Sequence, residues 1–197
     1  LQWAGGLGLG AGWHEIEAKA YGYEFPRIGP REDMLEEYAQ IMRMLLDPER
    51  RRADFEGKHF RVSNAPNNPK PLQPRIPIWV VGAFPSNKSM SRALRFDGVL
   101  PNMLGPDGKV SMEPLNFEKV SLIRDYVRQH RPNGGPYDII VEGVTQGDAR
   151  QENAERMKQW QEAGATWWIE ALWEAHSLEE VIQRVSKVHR AGKGLIR

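Results

Sequence analysis

The chain has 197 residues, with 27 Lys and Arg against 26 Asp and Glu, and no cysteine. Such a balance supplies no basic surface for nucleic acid or an anionic membrane, and the missing thiols exclude disulfides and thiolate metal sites. The length suffices for one domain with a real core, taken as residues 1–197, and no apolar run reaches the roughly 18 residues of a membrane span. The absence of cysteine suits a reducing cytoplasm, where the chain is expected to reside.

Leu7-Gly8-Leu9-Gly10-Ala11-Gly12-Trp13 reads as the end of a buried strand entering a glycine-rich turn. Its Gly6-x-Gly8-x-x-Ala11 spacing fits the loose form of a dinucleotide fingerprint. That reading fails on context: Tyr21-Gly22-Tyr23 and Phe25-Pro26 intervene before any long helix, and no ribose-binding acid follows at the right distance. From Arg31 to Leu46 the apolar residues Met34, Leu35, Tyr38, Ile41, Met42 and Leu45 recur at helical spacing. Pro30 precedes this helix and Asp47-Pro48 stops it. "DFEGKHFRV" reads as a small hairpin turning at Gly57, and "SNAPNNPKPLQPRIP" as an extended connection.

Ile78-Trp79-Val80-Val81 is a buried strand that stops at Gly82, before a polar loop and a short helix. A strand follows at Gly98 to Leu100, then a helix bearing Phe117, Val120, Ile123 and Val127, broken by Asn133-Gly134-Gly135-Pro136. A strand at Tyr137 to Val141 leads to a helix with Asp148 at its N-cap and Gly164 past its end. The strand Thr166 to Leu172 leads to a last helix, where Ser177 and Glu180 make a capping box and Leu178, Val181, Ile182 and Val185 an apolar face. Five strands alternating with helices predict a parallel sheet of βα units. A Rossmann-like sheet and a (β/α) barrel both fit this order.

Several pieces, in order across nearly the whole chain, resemble the luciferase-like flavin or deazaflavin monooxygenases. They are "LGLGAGWHEIEAKAYG", "DFEGKHFRVSNAP", "PKPLQPRIPIWVVG", "RALRFDGVLP", "VEGVTQGD" and "EAGATWWIEAL". The resemblance implies a (β/α)8 TIM barrel, here partial: about five βα units, corresponding to strands four to eight. It also implies FMN or coenzyme F420 as cofactor, a small-molecule substrate, and no catalytic residue that can be named. Either the chain is part of a longer protein or it is a shortened relative. A non-catalytic flavin-binding or structural relative is the alternative. An aldolase-like barrel ranks below both, because no strand carries a lysine for a Schiff base.

The loop after Gly82 is the main candidate site. Ligands in barrels sit at the carboxyl ends of strands, and helix N-termini present N–H groups to anions. Gly82, Ala83 and Phe84 bring backbone close, Asn87 and Ser89 offer hydrogen bonds, and Lys88 offers charge. By resemblance this loop lies at the phosphate end of the cofactor. Trp168 and Glu170 share one strand face, by alternation, and are expected to line the barrel mouth beside the ring, since a carboxylate is costly against outer helices. Glu142 raises the same question on the preceding strand. Gly12 and His14, after the first strand, complete the cofactor-binding set. No two histidines have metal-ligand spacing with a carboxylate, so no metal is expected. Open sheet edges and apolar faces predict assembly as a homo-oligomer, most simply a dimer.

Overall fold

A computed structural model describes residues 5–131, 134–146 and 149–191. The elements in chain order are β1 (Leu7–Leu9), α1 (Glu15–Ala20), α2 (Ile28–Leu45), β2 (Arg52–Glu56), β3 (Arg61–Pro66), β4 (Ile78–Phe84), α3 (Asn87–Ala93), β5 (Gly98–Met103), α4 (Phe117–His130), β6 (Asp138–Gly143), α5 (Arg150–Ala163), β7 (Trp167–Glu170) and α6 (Leu178–Ala191). β2 and β3 make the antiparallel hairpin. The other five strands form one sheet in the order β1-β4-β5-β6-β7, which is chain order. The pairs β1–β4, β5–β6 and β6–β7 are each parallel. A doubly wound sheet reverses its order part-way, so the Rossmann alternative falls and the fold is that of a partial α/β barrel.

By contacts the chain forms two compact units, Leu1–Val81 with Arg95–Asp97, and Gly82–Leu94 with Gly98–Arg197. In the first, Leu7 lies opposite Ile78 and Gly8 opposite Trp79. The glycine just before β1 makes room for Trp79: a side chain at Gly6 would meet its ring at 2.5 Å. α2 begins three residues before the expected start, with Pro30 inside its first turn. A proline costs nothing there, because first-turn N–H groups have no helical acceptor. Glu37 on α2 accepts the backbone N–H groups of Lys58, His59 and Phe60 at 2.8, 2.9 and 2.9 Å, which anchors the hairpin turn. Asp97 clamps the start of β4. It accepts from Ile78 N at 2.8 Å and pairs with Arg43 at 2.7 Å and Arg75 at 2.5 Å. Burial pushes the Asp97 carboxyl up, but these donors outweigh it and hold the group below its usual range.

In the second unit the core is Val99, Val120, Ile123, Ile139, Ile140, Val141, Met157 and Trp160. α4 is capped by Asn116, whose side chain accepts from Lys119 N at 2.8 Å. α5 ends at Gly164, which adopts φ +117 where a side chain would strike Arg124 at 2.8 Å. The N-cap expected at Asp148 and the break at Asn133 lie outside the described residues. At α6, Ser177 accepts from Glu180 N at 3.2 Å as expected, while the Glu180 carboxylate takes His176 N at 3.0 Å. β5 and β6 run farther than expected, to Met103 and Gly143, and β7 stops sooner, at Glu170. The apolar stripe of α6 is exposed, with Leu178 at 69% and Val185 at 61%.

Candidate functional site

Side-chain alternation sorts the second unit's strands into two faces. A side chain at Gly82 would meet Val99 Cγ2 at 2.7 Å, Met90 Sδ at 3.0 Å and Ala93 Cβ at 3.4 Å, so this face lies under α3. Val99 pairs with Ile139. Val141 and Gly143 therefore share the helix-covered face, and so do their partners Trp168 and Glu170. The opposite face receives Ala83, Leu100, Asn102, Ile140, Glu142, Trp167 and Ile169.

This corrects the expected placement of Trp168 and Glu170. The Trp168 ring lies 6.0 Å from Trp160 of α5 and covers Gly143, where an added side chain would meet it at 2.7 Å. Glu170 lies against α6. Its carboxylate accepts Arg184 Nε at 2.8 Å, Thr145 N at 2.9 Å, Trp168 Nε1 at 3.1 Å and the Thr145 hydroxyl at 3.1 Å. Arg184 Nη2 bonds the same carboxylate, the Thr145 carbonyl, and Thr145 Oγ1 at 2.7 Å. The rule that a carboxylate avoids outer helices fails here because Arg184 and Thr145 supply its counter-charge and donors. Burial pushes the Glu170 carboxyl up; the Trp168 indole, Arg184 guanidinium and Thr145 N–H outweigh it, and the group sits below its usual range. Thr145 and Arg184 escaped sequence reasoning, since contacts across 25 and 39 residues leave no local signal.

The turn from β4 into α3 is built differently. Ser86 caps α3, its Oγ accepting from Ser89 N at 3.4 Å. The buried Ser89 hydroxyl accepts the Ala83 N–H at 2.9 Å, which fixes the strand end to the helix. Phe84 turns toward α4 and packs edge-on against Tyr126 at 5.6 Å. Tyr126 donates to Asn87 Oδ1 at 3.3 Å. Asn87 and Lys88 stand exposed at the first turn of α3. Gly82, Ala83, Phe84, Asn87, Lys88 and Ser89 thus share one turn. Of these, Asn87 and Lys88 present polar side chains outward, while Ser89 and Phe84 are used internally. Asn102 and Glu142 lie toward the carboxyl ends of β5 and β6, on the face opposite α3 by alternation. An amide inside the apolar run "GVLPNM" is the signal that could have marked Asn102.

Gly12 and His14 belong to the first unit. Gly12 adopts φ +76, which favours glycine. Arg31 donates to the Pro26 carbonyl at 2.9 Å, the Ala11 carbonyl at 3.2 Å and the Gly12 carbonyl, and stacks on Phe25 at 3.9 Å. Tyr38 donates to the Gly10 carbonyl at 2.5 Å. The loop after β1 is therefore held by α2. His14 is exposed at the N-cap of α1, 5.0 Å from the Trp13 ring. Among the described residues no group of three or more His, Asp or Glu could hold a metal, and no helix is long and apolar enough to cross a membrane.

Comparison with known proteins agrees with this fold. An F420-dependent secondary alcohol dehydrogenase, solved with an F420–acetone adduct, superposes with a TM-score of 0.60 at 16% identity over 94% of this chain and 69% of its own. A monooxygenase, RslO1 from Streptomyces bottropensis, superposes at 0.52 with 19% identity, over 94% of this chain and 50% of its own. At such identities the likeness shows the fold alone. No curated protein matches the sequence. The sequence profile of the luciferase-like monooxygenases matches residues 6–193, and the chain belongs to that family.

Proposed function

We propose that this chain, as one luciferase-like domain over residues 1–197, serves a flavin- or F420-dependent oxidoreductase acting on a small molecule. The observation that carries the reading is the β4–α3 turn. A buried strand runs through Gly82 to Phe84, a Ser86-capped helix begins, and the exposed Asn87 and Lys88 stand in its first turn. That arrangement supports an anionic group, the phosphate of FMN or the phosphodiester of F420. FMN and F420 share this anionic end, and similarity to an F420-dependent dehydrogenase and a monooxygenase supports either. When bound, the cofactor supplies the hydride or oxygen chemistry. The residues position it and keep water away. Trp168 and Glu170 serve the site by fixing the ends of β6 and β7.

Titration of the 197-residue chain with FMN and with F420, followed by visible absorption and fluorescence, tests the reading. Saturable binding of one of them supports it. Binding of neither removes it, and binding without turnover of any small alcohol or aldehyde leaves the non-catalytic alternative standing. The chain is further proposed to self-associate in a cytoplasmic setting. β1 and β7 are the two edges of the sheet among the described residues, and unpaired edges invite partners. Sedimentation at micromolar concentration checks this; a monodisperse 22.5 kDa species counts against it.

A further inference from the structure

We propose that the chain carries a second anion site, for a small molecule bearing a phosphate or carboxylate, at the opposite end of β6. A cleft of about 600 Å³ opens there, its walls including Arg124, Arg128, Arg131, Gly134, Tyr137 and Thr166. It lies beside the start of β6, whereas Glu142 and Gly143 end that strand. Six residues of strand separate the two ends by about 17 Å.

The charge in this cleft is one-sided. Arg124 and Arg128 lie one turn apart on α4, and Arg131 is its C-cap. No carboxylate is among the residues lining the cleft. Two carboxylates stand close by: Asp125, whose Oδ1 accepts Arg124 Nε at 2.8 Å and stands 3.9 Å from Arg128 Nη1, and Asp138, which accepts the Thr166 hydroxyl at 2.9 Å. Arg124 also donates to the Glu162 and Ala163 carbonyls at 3.1 and 3.2 Å, so it is spent on the end of α5. Arg128 is 73% exposed. Arg131 makes no ion pair among the described residues; its guanidinium lies 4.7 Å over the Tyr137 ring. Its Nη1 is buried without a hydrogen-bond partner. Three guanidinium groups thus line the concavity itself, with Asp125 and Asp138 outside its lining. Low-dielectric walls focus such a field and concentrate anions. The Tyr137 ring holds the Arg131 fork in one orientation, which lowers the entropy lost when it grips an oxyanion in two-point fashion. Glycine at 134 keeps the wall low: a side chain there would come within 3.0 Å of Arg131 Nε.

Calorimetric titration of the full chain with inorganic phosphate and with acetate, at constant ionic strength set with chloride, tests this and separates the two ligand types. Saturable binding of at least one is expected. Arg131→Gln should weaken it by about tenfold, the loss of one charge-assisted contact. Arg128→Gln, at an exposed position that leaves folding intact, should weaken it several-fold. FMN or F420 binding should be unchanged in both variants, so failure here is distinguishable from failure of the cofactor reading. Absence of saturable binding, or equal binding by wild type and both variants, overturns the proposal.

Discussion

Two strand ends in the second unit face similar problems and solve them in opposite ways. At the end of β4, Gly82 lies beneath α3 and the polar side chains Asn87 and Lys88 project outward. At the end of β7, Glu170 lies beneath α6 and every donor around it points inward. Each region needs a glycine: Gly82 near the end of β4 because Val99 and Met90 crowd it, and Gly143, the β6 partner of Glu170, because Trp168 covers it. The first end keeps its polar side chains outward, as a binding site must. The second spends its polar groups on holding a helix. A carboxylate or tryptophan at a strand end is therefore no mark of a site until its partners are known.

The sharpest way to break this comparison is Arg184→Ala. Glu170 and Arg184 are 17% and 13% exposed, so removing the cation strands a nearly buried carboxylate. Because the apolar stripe of α6 is exposed, little else among its described side chains holds the helix down. The expected cost is about 3 kcal/mol, the lower end of the range for a broken buried pair. Denaturant unfolding measures it, and hydrogen exchange should rise most in α6. A cost below about 0.5 kcal/mol would place the pair with ordinary surface bridges. Gly82→Ala comes next. Its new methyl would lie 2.7 Å from Val99 Cγ2, on a short branched side chain that cannot swing away. Overpacking of this kind costs about 1–3 kcal/mol. Gly143→Ala should cost less, because the atom it meets is the far edge of the Trp168 ring. Equal losses would show that both strand ends yield alike.

What the sequence disclosed follows from which forces are local. Strand Ile78 to Val81 announced itself as an apolar run, α4 by its apolar spacing and α5 by the glycine at its end, because burial and capping leave marks within a few residues. The βα alternation left strand order open between a doubly wound sheet and a barrel, and only the family resemblance pointed to the barrel. The facing of β7 was not legible. Alternation says that Trp168 and Glu170 share a face, but which face depends on Arg184, fourteen residues on, and Thr145, twenty-five residues back. Likewise nothing near Gly10 or Gly12 announces that Tyr38 and Arg31 will bind their carbonyls. The β4–α3 turn was legible because Gly82, Ser86, Asn87, Lys88 and Ser89 are neighbours in sequence.

Acid sharpens the contrast more gently. The Glu170 carboxyl is held below its usual range by Trp168, Arg184 and Thr145 despite its burial. A depressed folded-state value means the stabilisation is fully present above the unfolded value, about 4.3. It is lost as pH falls from there through the folded value. Unfolding measured from pH 7 downward should therefore show stability declining below about pH 4.3, together with loss of α6 signal. Asp97 contributes with the same sign in the first unit, because its carboxyl is depressed too. Glu170→Gln should flatten the part of the decline reported by α6 and leave the Asp97 part. An unchanged profile in that variant would show that the network does not couple to protons.

Lys88→Ala is expected to have the smallest effect, and it probes the outward-facing end directly. Lys88 is exposed, so its removal should leave unfolding unchanged. Its ammonium is compact and strongly hydrated, and in water of high dielectric one such contact gains little. The expected loss is about threefold in affinity for FMN at physiological salt, the scale of an exposed ion pair. At low ionic strength the loss should grow, because the Debye length increases from about 8 Å to about 30 Å between 0.15 M and 0.01 M salt. Riboflavin has the same ring and no phosphate, so the substitution should barely change its affinity at either salt concentration. A loss shared equally by FMN and riboflavin would mean that Lys88 supports the ring or the turn and does not meet the phosphate. A salt-independent loss confined to FMN would point to Asn87 and the α3 N–H groups as the phosphate ligands, with Lys88 acting through their geometry.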